Sequence, residues 1–195
     1  MTNKELELLQ NELSGCSNYL EFGSGNSTVL ATSTMSIEKI TVVESDSVFW
    51  KRLILSNPVI SDSIKQKRLH PLIINIGVTK EWGYPVDDSC QNRWPLYASK
   101  AFRKDSSYDL ILIDGRFRIA CTLQACLHVT PKTRILIHDF FIRPYYYTVL
   151  PFLKFEEQVD TMGVFRIRKN NDPRLLKEFI SVYNNLPGFY LIKVE

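Results

Sequence analysis

One stretch constrains this chain more than any other: Asn18-Tyr19-Leu20-Glu21-Phe22-Gly23-Ser24-Gly25-Asn26-Ser27-Thr28. It reads as a buried strand, a tight glycine turn and the start of a helix. Gly23 and Gly25 let the backbone turn sharply and let a ligand approach the main chain with no Cβ in the way. Valine at either glycine is expected to block that ligand while leaving most of the fold intact. Ser27 or Thr28 is placed to cap the helix, whose free N–H groups face the same ligand. A second apolar run, Ile40-Thr41-Val42-Val43, then ends in Glu44. At about twenty residues beyond a glycine turn, a carboxylate can accept hydrogen bonds from the two hydroxyls of a ribose. Strand, glycine turn, helix, strand and acid together form a unit suited to an adenosine-containing ligand.

The rest of the chain extends this pattern. Residues 3–14 read as a helix with Leu6, Leu9 and Leu13 on one face, opened by a Thr2/Glu5 capping box. The strand at 18–22 is followed by a helix at 27–35 and a strand at 40–44. Asp46 caps a helix at 47–56, which stops before Asn57-Pro58. Leu72 to Ile76 reads as a third strand, buried on both faces. Residues 77–107 form an insertion or lid with little periodicity, rich in Trp, Tyr, Pro and charge. Strands at 108–113 and 134–138 bracket a helix at 118–129. A helical segment at 144–154 precedes a hairpin of Phe155–Val159 and Val164–Arg168 about Thr161-Met162-Gly163. A helix at 173–184 opens the closing segment, 173–195.

Near-continuous apolar strands alternating with helices predict an α/β protein with a mostly parallel sheet covered on both faces. The hairpin adds an antiparallel strand at the C-terminal end. A length of 195 residues suits a single domain, 1–195. Ligands of such sheets lie beyond the strand C-termini, at the switch point. Gly23, Gly25, Glu44, Asn75, Asp114, His138 and Asp139 all fall at or near those ends.

Composition excludes several classes. A formal net charge of +3 is too mild to argue for nucleic acid. Cys16, Cys90, Cys121 and Cys126 contain no Cys-x-x-Cys pair, and three histidines show no ligand spacing, so a structural zinc site is not expected. Cys121 and Cys126 fall in a helix as buried small hydrophobes. No apolar run reaches membrane-spanning length. The start of the chain reads as an amphipathic helix rather than a leader, and the expected compartment is a reducing cytoplasm.

The choice of cofactor turns on two residues. The dinucleotide fingerprint wants a third glycine where this chain has Thr28. Glu21, beside the loop, suits a cationic cofactor end better than phosphates. The Glu-x-Gly-x-Gly pattern resembles motif I of class I S-adenosylmethionine-dependent methyltransferases, whose Rossmann-like three-layer sandwich matches the element order. The resemblance implies S-adenosylmethionine as cofactor. Gly23, Ser24 and Gly25 then form its cradle, with Ser27 and Thr28 at the helix start. Glu21 lies near the methionyl ammonium, Glu44 and Ser45 at the ribose, and Asn75 or Gly77 near the adenine. Asp114 faces both cofactor and acceptor.

The acceptor end begins at Asp114-Gly115-Arg116-Phe117-Arg118. The Asp/Asn-Pro-Pro-aromatic turn of amino-methylating nucleic-acid enzymes is absent. So is the Pro-Cys pair used for C5-pyrimidine methylation. Asp114, His138 and Asp139 form the candidate catalytic set. They could hold a divalent metal as in catechol-type O-methyltransferases, or His138 could act directly as general base. The asparagine of the catechol-type pair is missing here, which favours the metal-free version. Arg116 and Arg118 would draw in an anionic acceptor, and Trp82 would close over it. The segment Ile76 to Pro85 and the Asp-Gly-Arg-Phe-Arg turn also resemble a small family of bacterial methyltransferase-like proteins, which supplies a fold but no substrate. The reading is a transferase acting on a small-molecule or glycan-like acceptor at oxygen, with no nucleic-acid or membrane partner. A non-catalytic binding module on the same fold is the first alternative. A nucleotide-dependent oxidoreductase is the second, disfavoured by Thr28 and Glu21.

Overall fold

The structure is a computed structural model that describes residues 1–103 and 105–188. Helix α1 (Asn3–Ser14) opens with the expected reciprocal box, Thr2 and Glu5 each bonding the other's backbone N–H. The chain continues through β1 (Asn18–Phe22), α2 (Asn26–Ser33) and β2 (Lys39–Glu44). Next come α3 (Ser47–Phe49), which runs on as a π-turn over Trp50–Ile54, then α4 (Pro58–Lys65) and β3 (Leu69–Ile73). The insertion holds short 3-10 turns and α5 (Pro95–Ser99). It leads to β4 (Leu110–Ile113), α6 (Arg118–His128) and β5 (Arg134–Ile137). A 3-10 stretch (Pro144–Phe152), β6 (Leu153–Val159), β7 (Met162–Ile167) and α7 (Pro173–Tyr183) follow.

The seven strands run in the order β3-β2-β1-β4-β5-β7-β6. The first five are parallel, and β7 lies antiparallel between β5 and β6. The chain therefore winds outward from β1 to β3 and returns beside β1 as β4. Loops after β1 and β4 part at that switch point. Alternating side chains build two cores. Tyr19, Val42, Leu112 and Leu136 face α1 and its neighbours, with Leu9 and Leu13. Leu20, Phe22, Val43, Ile111 and Ile113 face the side of α5, α6 and α7. No helix among the described residues is long and apolar enough to cross a membrane.

Several boundaries depart from the sequence reading. The third strand lies three residues earlier, at Leu69–Ile73, and is a half-buried edge rather than a two-sided core strand. It contains Pro71, which an edge strand tolerates because one side of it needs no ladder donor. Asn57-Pro58 ends one helical segment but also starts another. Asn57 caps Val59 N–H at 3.0 Å and Pro58 takes the first helical position of α4, which the sequence reading missed. The 47–56 helix is α only over its first turn. The 144–154 segment is 3-10, with Pro151 near its end. The hairpin turn is Asp160-Thr161, so Met162 and Gly163 belong to β7.

Candidate functional site

The two glycines of the β1 turn do different things. Gly23 has φ +90°, and a Cβ there would stand 2.6 Å from the Gly115 Cα, so the fold itself requires glycine. This corrects the expectation that valine would be harmless to the fold at both positions. Gly25 is extended, at φ 176°, and a Cβ there would meet nothing within 4 Å. Its open face is the space a ligand would use. Ser24 donates to Glu44 Oε2 from its backbone N (3.0 Å) and its hydroxyl (2.7 Å). Glu44 Oε1 accepts from Ser45 N (2.6 Å) and Asp46 N (2.9 Å). The acid after β2 thus closes over the glycine turn. Asn75 is exposed, and its Oδ1 accepts from Gly77 N at 2.9 Å. Ile74 N donates to Glu44 O, which sets that loop beside the acid.

Helix α2 starts at Asn26 behind Gly25, which has no side chain to cap it; Thr28 supplies the reciprocal bond of a capping box, and Ser27 takes no part in the cap. Both hydroxyls donate inward to Glu21, from Thr28 at 2.9 Å. Thr28 Oγ1 also accepts from Gly25 N at 3.0 Å. Glu21 shares the parity of Tyr19 on β1, so its side chain points under α2 and is fully buried. It lies beneath the turn rather than beside its open face. Burial pushes its carboxyl up to about 8; the Ser27 and Thr28 hydrogen bonds act the other way, and the charges of Asp114 and Glu44 add to the rise.

The insertion divides in two. Trp94, Tyr97, Ala98 and Phe102 are core residues. Trp94 Nε1 donates to Ile76 O, and Phe117 packs against Trp94 and Tyr97 with ring centroids 5.6 Å away in each case. The 78–86 stretch is a separate small hairpin, closed by a Thr79–Pro85 bridge and by Val86 N–H donating to Val78 O. Trp82 sits at its tip, 85% exposed. Gly83 rests against Ser45 and Arg116, and Tyr84 lies over the Arg116 guanidinium at 4.1 Å. This hairpin reaches across from the end of β2 to the end of β4.

Asp114, His138 and Asp139 do come together. His138 Nδ1 lies 2.8 Å from Asp114 Oδ1, and Nε2 lies 3.6 Å from Asp139 Oδ1. The sequence reading missed a fourth member: Glu5 Oε2 stands 3.3 Å from His138 Nε2. Glu5 is fully buried and also accepts from Thr161 N and Oγ1. Its capping-box role was legible; its reach to β5 was not. Both ring nitrogens of His138 therefore face carboxylates, and neither is free to take an acceptor's proton without losing a partner. Arg118 closes the set. It donates to the carbonyls of Gly115, His138 and Asp114 and pairs with the Asp114 carboxylate at 2.9 Å. Burial pushes the Asp114 carboxyl upward, but the His138 hydrogen bond and the Arg118 charge outweigh it and hold it below its usual value. Asp139 is paired with Arg143 at 3.0 Å. Arginines thus occupy the carboxylate faces that a metal would need. No cluster of three or more His, Cys, Asp or Glu side chains able to hold a metal occurs among the described residues.

No protein-family model matches this chain, and no curated protein matches its sequence. Its fold matches solved structures. A methyltransferase-like protein from Silicibacter pomeroyi DSS-3 superposes with a TM-score of 0.83 at 25% identity, over 96% of each chain. A candidate caffeoyl-CoA O-methyltransferase from Staphylococcus aureus has a TM-score of 0.56 at 12% identity, covering 86% of this chain and 84% of that one. Its fold is that of class I S-adenosylmethionine-dependent methyltransferases. Within that methyltransferase fold, the β1 turn and Glu44 lie at the switch-point crevice. The residues present fit the cofactor that the fold implies: Gly25 opens onto free space, and the Glu44 carboxylate, bonded to Ser24, stands beside that turn.

Proposed function

We propose that this protein is a methyltransferase that uses S-adenosylmethionine to modify a small-molecule or glycan-like acceptor at oxygen. One observation carries the reading: a carboxylate, Glu44, closes over a glycine turn whose second glycine opens onto free space. Ser24 Oγ can rotate away from Glu44 Oε2 and yield that lone pair to a ribose hydroxyl. Ser45, Asn75 and Gly77 extend the surface toward the adenine, and Asp114 ends it toward the acceptor. When bound, S-adenosylmethionine supplies an electrophilic sulfonium methyl group. The protein's own task is then to align an acceptor atom with that methyl and exclude water, and such positioning supplies much of the rate without a dedicated base. The lid hairpin, with Trp82 at its tip, is placed to close the crevice.

Calorimetry with S-adenosylhomocysteine tests this reading. Glu44→Ala removes a charged acceptor of two hydroxyls, an expected loss of about 1.5–3 kcal/mol, or roughly ten- to a hundred-fold in affinity. Unchanged binding in a folded variant rejects the ribose assignment. A second reading, a non-catalytic binding module, is favoured by the mutual satisfaction of Asp114, His138, Asp139 and Arg118. It expects the same cofactor binding with no transfer to any acceptor.

A further inference from the structure

Two arginines flank Phe117, and their environments are opposite. Arg118 spends its donors on three carbonyls and two carboxylates. Arg116 is 9% exposed, and its guanidinium has no hydrogen bond or ion pair to any described side chain or carbonyl; it lies against the face of Tyr84. A guanidinium carries five N–H donors, and no described residue takes those of Arg116. Arg116 also stands where ligands of this fold bind. Its Cγ is 3.9 Å from where a Gly83 Cβ would be, and that same position is 3.5 Å from Ser45 Oγ, one residue past the ribose acid. The next residue, Phe117, begins α6 in the left-handed region at φ +53° and offers no side-chain cap to the first-turn N–H groups. A positive helix end, an unpaired guanidinium and an aromatic roof thus meet at one side of the crevice.

We propose that Arg116 is an anion clamp, holding a carboxylate of the ligand that lies under the Tyr84 hairpin. This rests on the methyltransferase reading only for the identity of the ligand. The carboxylate belongs either to the amino-acid end of the cofactor or to the acceptor. A planar fork matches a carboxylate in two parallel hydrogen bonds, and Tyr84 holds the fork flat. Arg118 takes no part, because its donors are already engaged.

The test uses the full chain and three probes. S-adenosylhomocysteine carries the carboxylate; methylthioadenosine lacks the amino-acid end; acetate, added to either complex, stands in for an acceptor carboxylate. If the cofactor's carboxylate is held, Arg116→Gln weakens S-adenosylhomocysteine by at least about tenfold and leaves methylthioadenosine within about twofold. If the acceptor's is held, both nucleosides bind as before. The acetate-dependent rise in melting temperature seen in the wild type is then lost in the variant. Arg116→Lys, which keeps the charge but not the fork, should recover only part of either effect and guards against a folding artefact. Arg116→Gln that alters none of the three, or weakens both nucleosides equally, overturns the clamp. A wild type that binds neither nucleoside rejects the methyltransferase reading instead, and the acetate response alone then decides for or against Arg116.

Discussion

Two carboxyl groups on neighbouring strands, Glu21 on β1 and Asp114 just past β4, are held by opposite physics. Glu21 is sealed under α2 with hydroxyl partners, and burial drives its carboxyl up to about 8. Asp114 is also largely buried, yet His138 and Arg118 hold its carboxyl low. One corner of the crevice is therefore braced by hydrogen bonds to a mostly uncharged acid. The other is braced by the Arg118–Asp114 ion pair and by His138, which links Glu5 of α1 to Asp114 after β4. The difference shows which corner has room for a ligand. The hydrogen-bonded corner keeps an open face at Gly25, whereas the ionic corner satisfies itself. Catalytic-looking residue types at strand ends can thus be struts.

The largest effect should come from breaking the ionic brace. Arg118→Ala leaves the Asp114 charge and three carbonyls without their partner, and truncating one side of a buried pair costs about 3–5 kcal/mol. A chain of this size should then lose roughly 10 °C in melting temperature. Arg116→Gln should lose less than about 1 kcal/mol, because no protein partner is stranded. Equal losses in thermal unfolding would erase the distinction between the two arginines, and with it the division between strut and site.

A smaller effect separates the two glycines. Valine at Gly23 meets the Gly115 backbone and a φ of +90°, a combined cost of about 2–4 kcal/mol. Valine at Gly25 meets no protein atom and an ordinary extended backbone, so stability should move by less than about 1 kcal/mol. Binding of S-adenosylhomocysteine should nevertheless disappear in Gly25→Val. A Gly25→Val protein that still binds places the cofactor elsewhere than this turn.

The glycine turn, the order of elements and Glu44 were legible because they depend on local signals: caps, apolar runs and a spacing. β1 and α1 keep their expected limits for the same reason. What escaped depended on contacts between distant segments. Glu5 advertises a capping box, and nothing near it signals that Thr161 and His138 fold onto it. The apolar run places the third strand three residues late, because pattern alone does not show that β3 would be an edge running through Pro71. Ser27 and Thr28 read as caps, and Thr28 does bond the Gly25 N–H, but only the parity of β1 places Glu21 beneath both hydroxyls. Trp82 and Trp94 are alike in sequence context, yet packing leaves one exposed and buries the other in the core.

The subtlest test concerns Glu21 itself. Its folded value of about 8 exceeds that of an unfolded glutamate, so the folded state binds the extra proton between those two values. Stability is then complete below the unfolded value and falls as pH rises through the folded one. Glu21→Gln keeps the shape and removes the titration. Asp114 and Glu44, whose charges help raise Glu21, remain in place. Below pH 4 the two proteins should respond alike to pH, and the variant should gain on the wild type as pH rises, levelling off above about pH 8.5. Between pH 5.5 and pH 7 the gain should be on the order of 1–2 kcal/mol. Chemical denaturation across that range measures it. A difference independent of pH would mean that Glu21 is ionised beneath α2 throughout. The hydrogen-bonded corner would then be charged like its neighbour, and a buried anion would stand directly below the open face of Gly25.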